Sequence, residues 1–221
     1  MRLVTATVIL ALASSLSAFG NSIVIFNTGE SSGGTALPTG ETDPHYDLFS
    51  VPAGSPSIAI TTVPNPVWLS NTSTTDWISP GSSGLDHWPM GTYDYQTTFS
   101  LTGLNPATAE LSGSWTSDNN GCIYLNGVNT GDCDSYTGFA SLDPFSITSG
   151  FVAGTNTLDF MVYNGPGALG PDSPTGLFAE VSGTAAPLAA ASVPEPSSLP
   201  LFAAMGGLLG LAVVRRQLAK R

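Results

Sequence analysis

The chain has 221 residues, with sixteen acidic side chains against five Lys and Arg and a formal net charge of −11 at pH 7. All five cations sit at the ends, as Arg2, Arg215, Arg216, Lys220 and Arg221. The stretch between them cannot neutralise phosphates, which excludes nucleic acid as a partner.

In chain order, Met1-Arg2 is followed by a mostly apolar run over 3–16 and then small residues, the order of a secretory signal peptide. Residues 1–20 are read as that signal, with cleavage after Gly20 or after Ser17. Ser22-Ile-Val-Ile-Phe-Asn27 then begins the mature chain as a strand. Without its two ends the chain keeps about 170 residues, enough for one domain with a sizeable core. That domain is placed at 21–183.

Ser31-Ser32-Gly33-Gly34 reads as a loop. Four prolines between Pro52 and Pro66 surround Ser57-Ile-Ala-Ile-Thr61, so a strand there belongs near a sheet edge. Trp68, Trp77 and Trp88 lie among Pro, Ser, Asp and Gly, where exposed rings could stack on sugars. Asp86-His87 with Ser82 and Ser83 has the residue types of a hydrolytic set but no nucleophile-elbow motif.

Period-2 alternation then sets in. Over 92–101, Tyr93, Tyr95, Thr97, Phe99 and Leu101 share one face, and Asp94, Gln96, Thr98 and Ser100 the other. Over 108–116, Trp115 falls on the apolar side and is assigned to the core. Leu158, Phe160 and Val162 alternate likewise, as do Leu177, Ala179 and Val181. These read as half-buried antiparallel strands. Asn126-Gly127 between two short runs is a hairpin signal.

Cys122 and Cys133 are the only cysteines. Export to an oxidising compartment makes a disulfide the default, closing a loop of about 11 residues worth roughly 2–3 kcal/mol. Asp118, Asn120, Asp132 and Asp134 cluster around this pair. Hard oxygen ligands suit calcium, and the same residues also suit an Asx-type turn with solvated carboxylates. No cofactor other than calcium is expected. Thr184 to Val193, rich in Ala, reads as a linker.

The tail, 194–221, has three pieces in order: Pro194-Glu195-Pro196, an uncharged apolar run over 199–214, and Arg215-Arg216 with Lys220 and Arg221. Proline keeps the first piece out of helix interiors and central strands. The second, as a single transmembrane helix, would be roughly 24 Å long against a hydrocarbon core of roughly 30 Å. The flanking arginines can snorkel, and the cations hold that end in the cytoplasm.

The residues Val193-Pro-Glu-Pro-Ser-Ser198, the glycine-bearing 199–214 run and Arg215-Arg216 resemble the PEP-CTERM sorting signal of exported bacterial proteins. An ordinary C-terminal anchor is the other reading of the same tail. The resemblance implies recognition and cleavage at Pro194-Glu195-Pro196 by an exosortase, a membrane-embedded cysteine transpeptidase. It also implies a Gram-negative-type envelope and an association with exopolysaccharide.

A second resemblance covers residues 93–183. Asp118 followed by Leu125-Asn126-Gly127, and later Gly154-Thr-Asn156-Thr-Leu158, are similar to the hairpin and strand entry of jelly-roll modules with a galactose-binding-like fold. Glycosidase accessory domains are examples. No sugar-binding loop maps residue by residue, so no ligand site is carried over.

The sequence thus reads as all-β: an antiparallel, jelly-roll-like β-sandwich between a signal peptide and a single C-terminal transmembrane helix. The function that follows is an exported, non-catalytic envelope or extracellular-matrix protein, acting as a binding or structural module. Its partners would be a processing exosortase, the membrane before processing, and extracellular polysaccharide. The alternative is a secreted polysaccharide hydrolase with paired carboxylates in a cleft.

Overall fold

The computed structural model describes residues 20–167 and 171–189. The described residues up to 188 fall in one compact unit, and the chain from 189 onward is divided from it. The expected signal segment up to residue 19 and the 194–221 tail, with its 199–214 helix, lie outside the described residues. No helix among the described residues is long and apolar enough to cross a membrane.

Eleven strands follow in chain order: β1 (Asn21–Ser22), β2 (Asp47–Ser50), β3 (Ile60–Thr61), β4 (Ile78–Ser79), β5 (Gly91–Ser100), β6 (Glu110–Asp118), β7 (Asn120–Leu125), β8 (Val128–Cys133), β9 (Asp143–Ile147), β10 (Thr155–Asn164) and β11 (Gly176–Ala185). A six-stranded sheet runs β3-β4-β11-β6-β9, with β1 also on β11, and a five-stranded sheet runs β2-β5-β10-β7-β8. From β4 to β11 the chain places β4, β11, β6 and β9 in one sheet and β5, β10, β7 and β8 in the other. This is the strand order of a jelly roll, and its ladders are antiparallel. The all-β sandwich read from alternation is the fold observed.

The core lies between the sheets. Tyr93, Tyr95, Phe99 and Leu101 from one side meet Leu111, Trp115, Phe145, Leu177 and Ala179 from the other. Phe160 sits at the centre, with ring centroids 5.4 Å from Trp115 and 6.5 Å from Phe145. At Gly113 a Cβ would collide with the Glu180 carbonyl oxygen and the Phe145 ring, so only glycine lets β6 pass there. The β7–β8 hairpin turns on Asn126 (φ 51°) and Gly127 (φ 77°), the two positive values a tight hairpin turn needs.

Three boundaries differ from the sequence reading. The strand expected over 22–27 forms a ladder only to Ser22. Beyond it the chain stays alongside β11, but the Asn27 side-chain oxygen, not the backbone, takes the Val181 N–H (2.9 Å). The strand expected over 108–116 runs Glu110–Asp118, because Pro106–Thr108 make a 3₁₀ turn capped by Asn105. Residues 184–188, read as linker, belong to the sandwich. β11 continues to Ala185, and the Leu188 N–H donates to the Gly103 carbonyl at 2.8 Å. The short strand in the proline-rich stretch, β3, does lie at a sheet edge.

Candidate functional site on the five-stranded sheet

The two sheets differ in what lies on their outward faces. On the six-stranded sheet, Trp68, Trp77 and Phe178 form a second apolar cluster, with Leu69, Phe139 and Leu142 packed against it. Trp68 and Trp77 are 6% and 0% exposed, and their rings stack with centroids 4.4 Å apart. Their N–H groups are satisfied internally, Trp68 by Asp118 Oδ2 and Trp77 by the Leu69 carbonyl, both at 2.8 Å. The loops carrying Trp68 and Phe139 are tied by the Leu69 N–H to Phe139 carbonyl bond. Trp88 is half-buried against the main core. The exposed-ring expectation for Trp68, Trp77 and Trp88 is therefore corrected: burying an indole is worth more than leaving it in water, and at Trp68 and Trp77 the N–H is bonded as well, while Trp88 Nε1 has no partner. Trp115 is core, as assigned.

Among the described residues the five-stranded sheet carries no such layer, and its side chains fall into rows set by register. One row crosses all five strands: Asp47 pairs with Gln96, Gln96 with Asp159, Asp159 with Tyr124 and Tyr124 with Asn129. At about 4.8 Å per strand it spans roughly 19 Å. A second row holds Ser50, Asp94, Met161, Cys122 and Cys133. A third brings Thr92, Tyr163 and Asn120 together. Tyr163 is 39% exposed, and Phe49, at the irregularity in β2, is 70% exposed. The expected disulfide is present: Cys122 and Cys133 are direct cross-strand partners, Cα atoms 4.1 Å apart.

Hydrogen bonding orders the first row. Gln96 Nε2 donates to Asp159 Oδ1 at 2.6 Å. A carboxylate only accepts, so the amide nitrogen is the partner and Gln96 Oε1 is left as a free acceptor. Burial raises the Asp159 carboxyl above its ordinary value, and the Gln96 bond opposes that. Asp94, two residues along β5, is pushed up to about 6 by burial, with repulsion from Asp159 adding to it. It is 8% exposed, and its Oδ1 has no hydrogen-bond partner.

The candidate calcium ligands each have contacts of their own, and Asp118, raised first by burial, lies close enough to Asp134 to be raised further by its charge. Asp134 holds the β6–β7 connection: Oδ2 accepts from the Ser117 N–H and hydroxyl (2.8 and 2.7 Å), and Oδ1 accepts from the Gly121 N–H. Asp118 faces Trp68 on the other sheet. Asn120 begins β7 opposite Tyr163, and Asp132 lines a cleft beside Ser146–Gly150. Among the described residues no three or more His, Cys, Asp or Glu side chains are arranged to hold a metal ion. Asp118 and Asp134 both titrate near 6, chiefly because they are buried. The hydrolytic residue set is also not assembled: His87 Nδ1 contacts the Asp172 carbonyl, and Ser83 Oγ accepts from the Leu85 N–H.

The row residues Gln96, Asp159 and Tyr124 were missed as a site. Their only signal in the sequence is a place on the polar side of alternating strands, and the row itself exists only once five strands are in register.

A family model for the PEP-CTERM protein-sorting motif matches residues 192–217. The chain carries a PEP-CTERM sorting signal. The signal marks an exported, exosortase-sorted cell-surface protein, and Pro194, Glu195 and Pro196 fall within the match. No curated protein matches the chain. Among solved structures it is similar to one titled "Structure of CBM35 from Paenibacillus barcinonensis", at 12% identity and a TM-score of 0.33, covering 73% of this chain and 98% of that one. The jelly-roll assignment rests on strand order.

Proposed function

We propose that this protein is a non-catalytic module that binds a polysaccharide without anionic groups across the outward face of the five-stranded sheet. The protein thereby attaches to the cell envelope or extracellular matrix after exosortase processing at Pro194-Glu195-Pro196. The observation that carries this is the row Asp47, Gln96, Asp159, Tyr124 and Asn129, aligned across five strands with Asp47 and Asn129 exposed, Gln96 and Tyr124 half-buried and Asp159 buried between them. Carboxylate and amide groups suit the hydroxyls of a sugar chain, and a tyrosine ring offers an apolar plane with a polar tip. The domain brings fifteen of the sixteen acids, all but Glu195, and no Lys or Arg. That field repels anionic polymers and admits neutral or cationic ones.

The test is affinity electrophoresis of full-length protein in gels containing neutral polysaccharides, compared with acidic ones. Retardation by a neutral polymer is expected. Tyr124→Ala and Gln96→Ala should each weaken it about tenfold, the scale of losing one well-placed aromatic or hydrogen-bonding contact. Binding that survives both changes would remove the face from the reading. Release of reducing ends from the polymer would support the hydrolase instead.

A further inference from the structure

At one end of the row the face opens into a groove of about 420 Å³, lined among others by Phe26, His45, Asp47, Gln96, Ser100 and Thr155. It exists because β2 is short. β2 pairs with β5 only opposite Asp94, Tyr95 and Gln96, so β5 from Thr97 to Ser100 runs on without it. The Phe26 and His45 rings form one wall, stacked 3.6 Å apart and within 3° of parallel.

Asp47 is the one charged carboxylate lining this groove; Thr97, Thr98 and Thr155 add hydroxyls that donate or accept, and His45 adds a ring nitrogen. Asp47 is exposed, and as a carboxylate it only accepts. Gln96 gives one amide N–H to Asp159, which turns the side chain so that its oxygen can accept. Ser100 spends its hydroxyl proton on Thr102 Oγ1 at 2.9 Å, and its oxygen accepts from the Thr102 N–H at 3.2 Å. An exposed carboxylate beside an amide oxygen suits a cationic donor. An ammonium group has three donors and no acceptor, and it also carries the charge that the surrounding carboxylates favour.

We infer that this groove is a subsite for an amino-sugar unit: one sugar ring against the Phe26–His45 wall, with its protonated primary amine on Asp47 and Gln96 Oε1. The inference rests on the polysaccharide reading above and names the class of sugar at one end of the same face.

The experiment is calorimetric titration of full-length protein at low ionic strength with two tetrasaccharides, one of glucosamine and one of N-acetylglucosamine. They differ only in whether the amine is free. The glucosamine tetramer should bind about five- to tenfold more tightly, the scale of one exposed ion pair helped by the surrounding field. Asp47→Asn should erase that preference, so that the two tetramers bind within about twofold of each other. Phe26→Ala should weaken both tetramers, with its thermal midpoint recorded to confirm the fold. Equal wild-type affinities, or a preference that survives Asp47→Asn, would overturn the subsite. If the preference fails while Tyr124-dependent retardation by neutral polymer persists, the subsite alone falls. If nothing binds at the face, both readings fall.

Discussion

The outward faces of the two sheets began with similar raw material and ended differently. On the six-stranded sheet, loops bearing Trp68, Trp77, Leu69 and Phe139 fold down over Phe178 and make a second core. On the five-stranded sheet, strands of the same alternating type keep a polar outward side with no second aromatic cluster among the described residues; Asp94 and Asp159 are buried within it, and a disulfide ties β7 to β8. Large aromatics inside a loop therefore point to what the loop covers. Modest polar residues on a regular strand mark the surface left for a partner.

Stability should separate the two faces. Trp77→Ala removes a fully buried ring and should cost about 3–5 kcal/mol. Tyr124→Ala on the open face should cost no more than about 1 kcal/mol, since its ring is only half-buried. Denaturant unfolding of both variants measures the contrast, and equal costs would mean that the loop layer is not a second core.

The disulfide is the open face's own staple. Replacing Cys122 and Cys133 by serine should cost roughly 2–3 kcal/mol through the freed loop. Thiol labelling of unreduced, exported protein should find no free cysteine; two labelled thiols would show that the sheet edge holds without it.

A smaller effect comes from pH and touches both faces. Burial raises Asp94 on the open face, and Asp76, Asp118 and Asp134 elsewhere, to about 6. Unfolded, each returns to its ordinary value near 3.8, so the folded state binds more protons between about pH 4 and 6. Stability should therefore rise as pH falls from about 7 towards 4.5, with the cost of burying charge fully present above that window. Asp118→Asn keeps an acceptor for Trp68 and should flatten this slope in thermal unfolding. An unchanged slope would place the titration elsewhere, on Asp94 first.

The smallest expected effect is ionic. Fifteen carboxylates without a Lys or Arg among them repel one another. At 0.1 M salt the screening length is about 10 Å, so added sodium chloride should raise the thermal midpoint modestly from its low-salt value. No change would mean that the acids are too dispersed to interact.

Much of this was legible in the chain. Alternation over 92–101 placed Tyr93, Tyr95, Phe99 and Leu101 inside, where they are. Asn126-Gly127 marked the hairpin, and the paired cysteines flank it. The misread parts depended on distant partners. Asn27 meets Val181 through its side-chain oxygen and not through the backbone, and residues 184–188 are held by Gly103 and its neighbours. Neither partner is near in sequence.

Local order alone determined the all-β class, the turn, the cysteine pairing and the sorting tail. Side-chain period, turn chemistry and motif order are properties of a few neighbouring residues. Only the tertiary structure decided which face the tryptophan loops would cover. It alone aligned Asp47, Gln96, Asp159, Tyr124 and Asn129 into one row. Register and loop placement are settled by burial between segments far apart in the chain, where a one-residue slip would move every side chain to the opposite face.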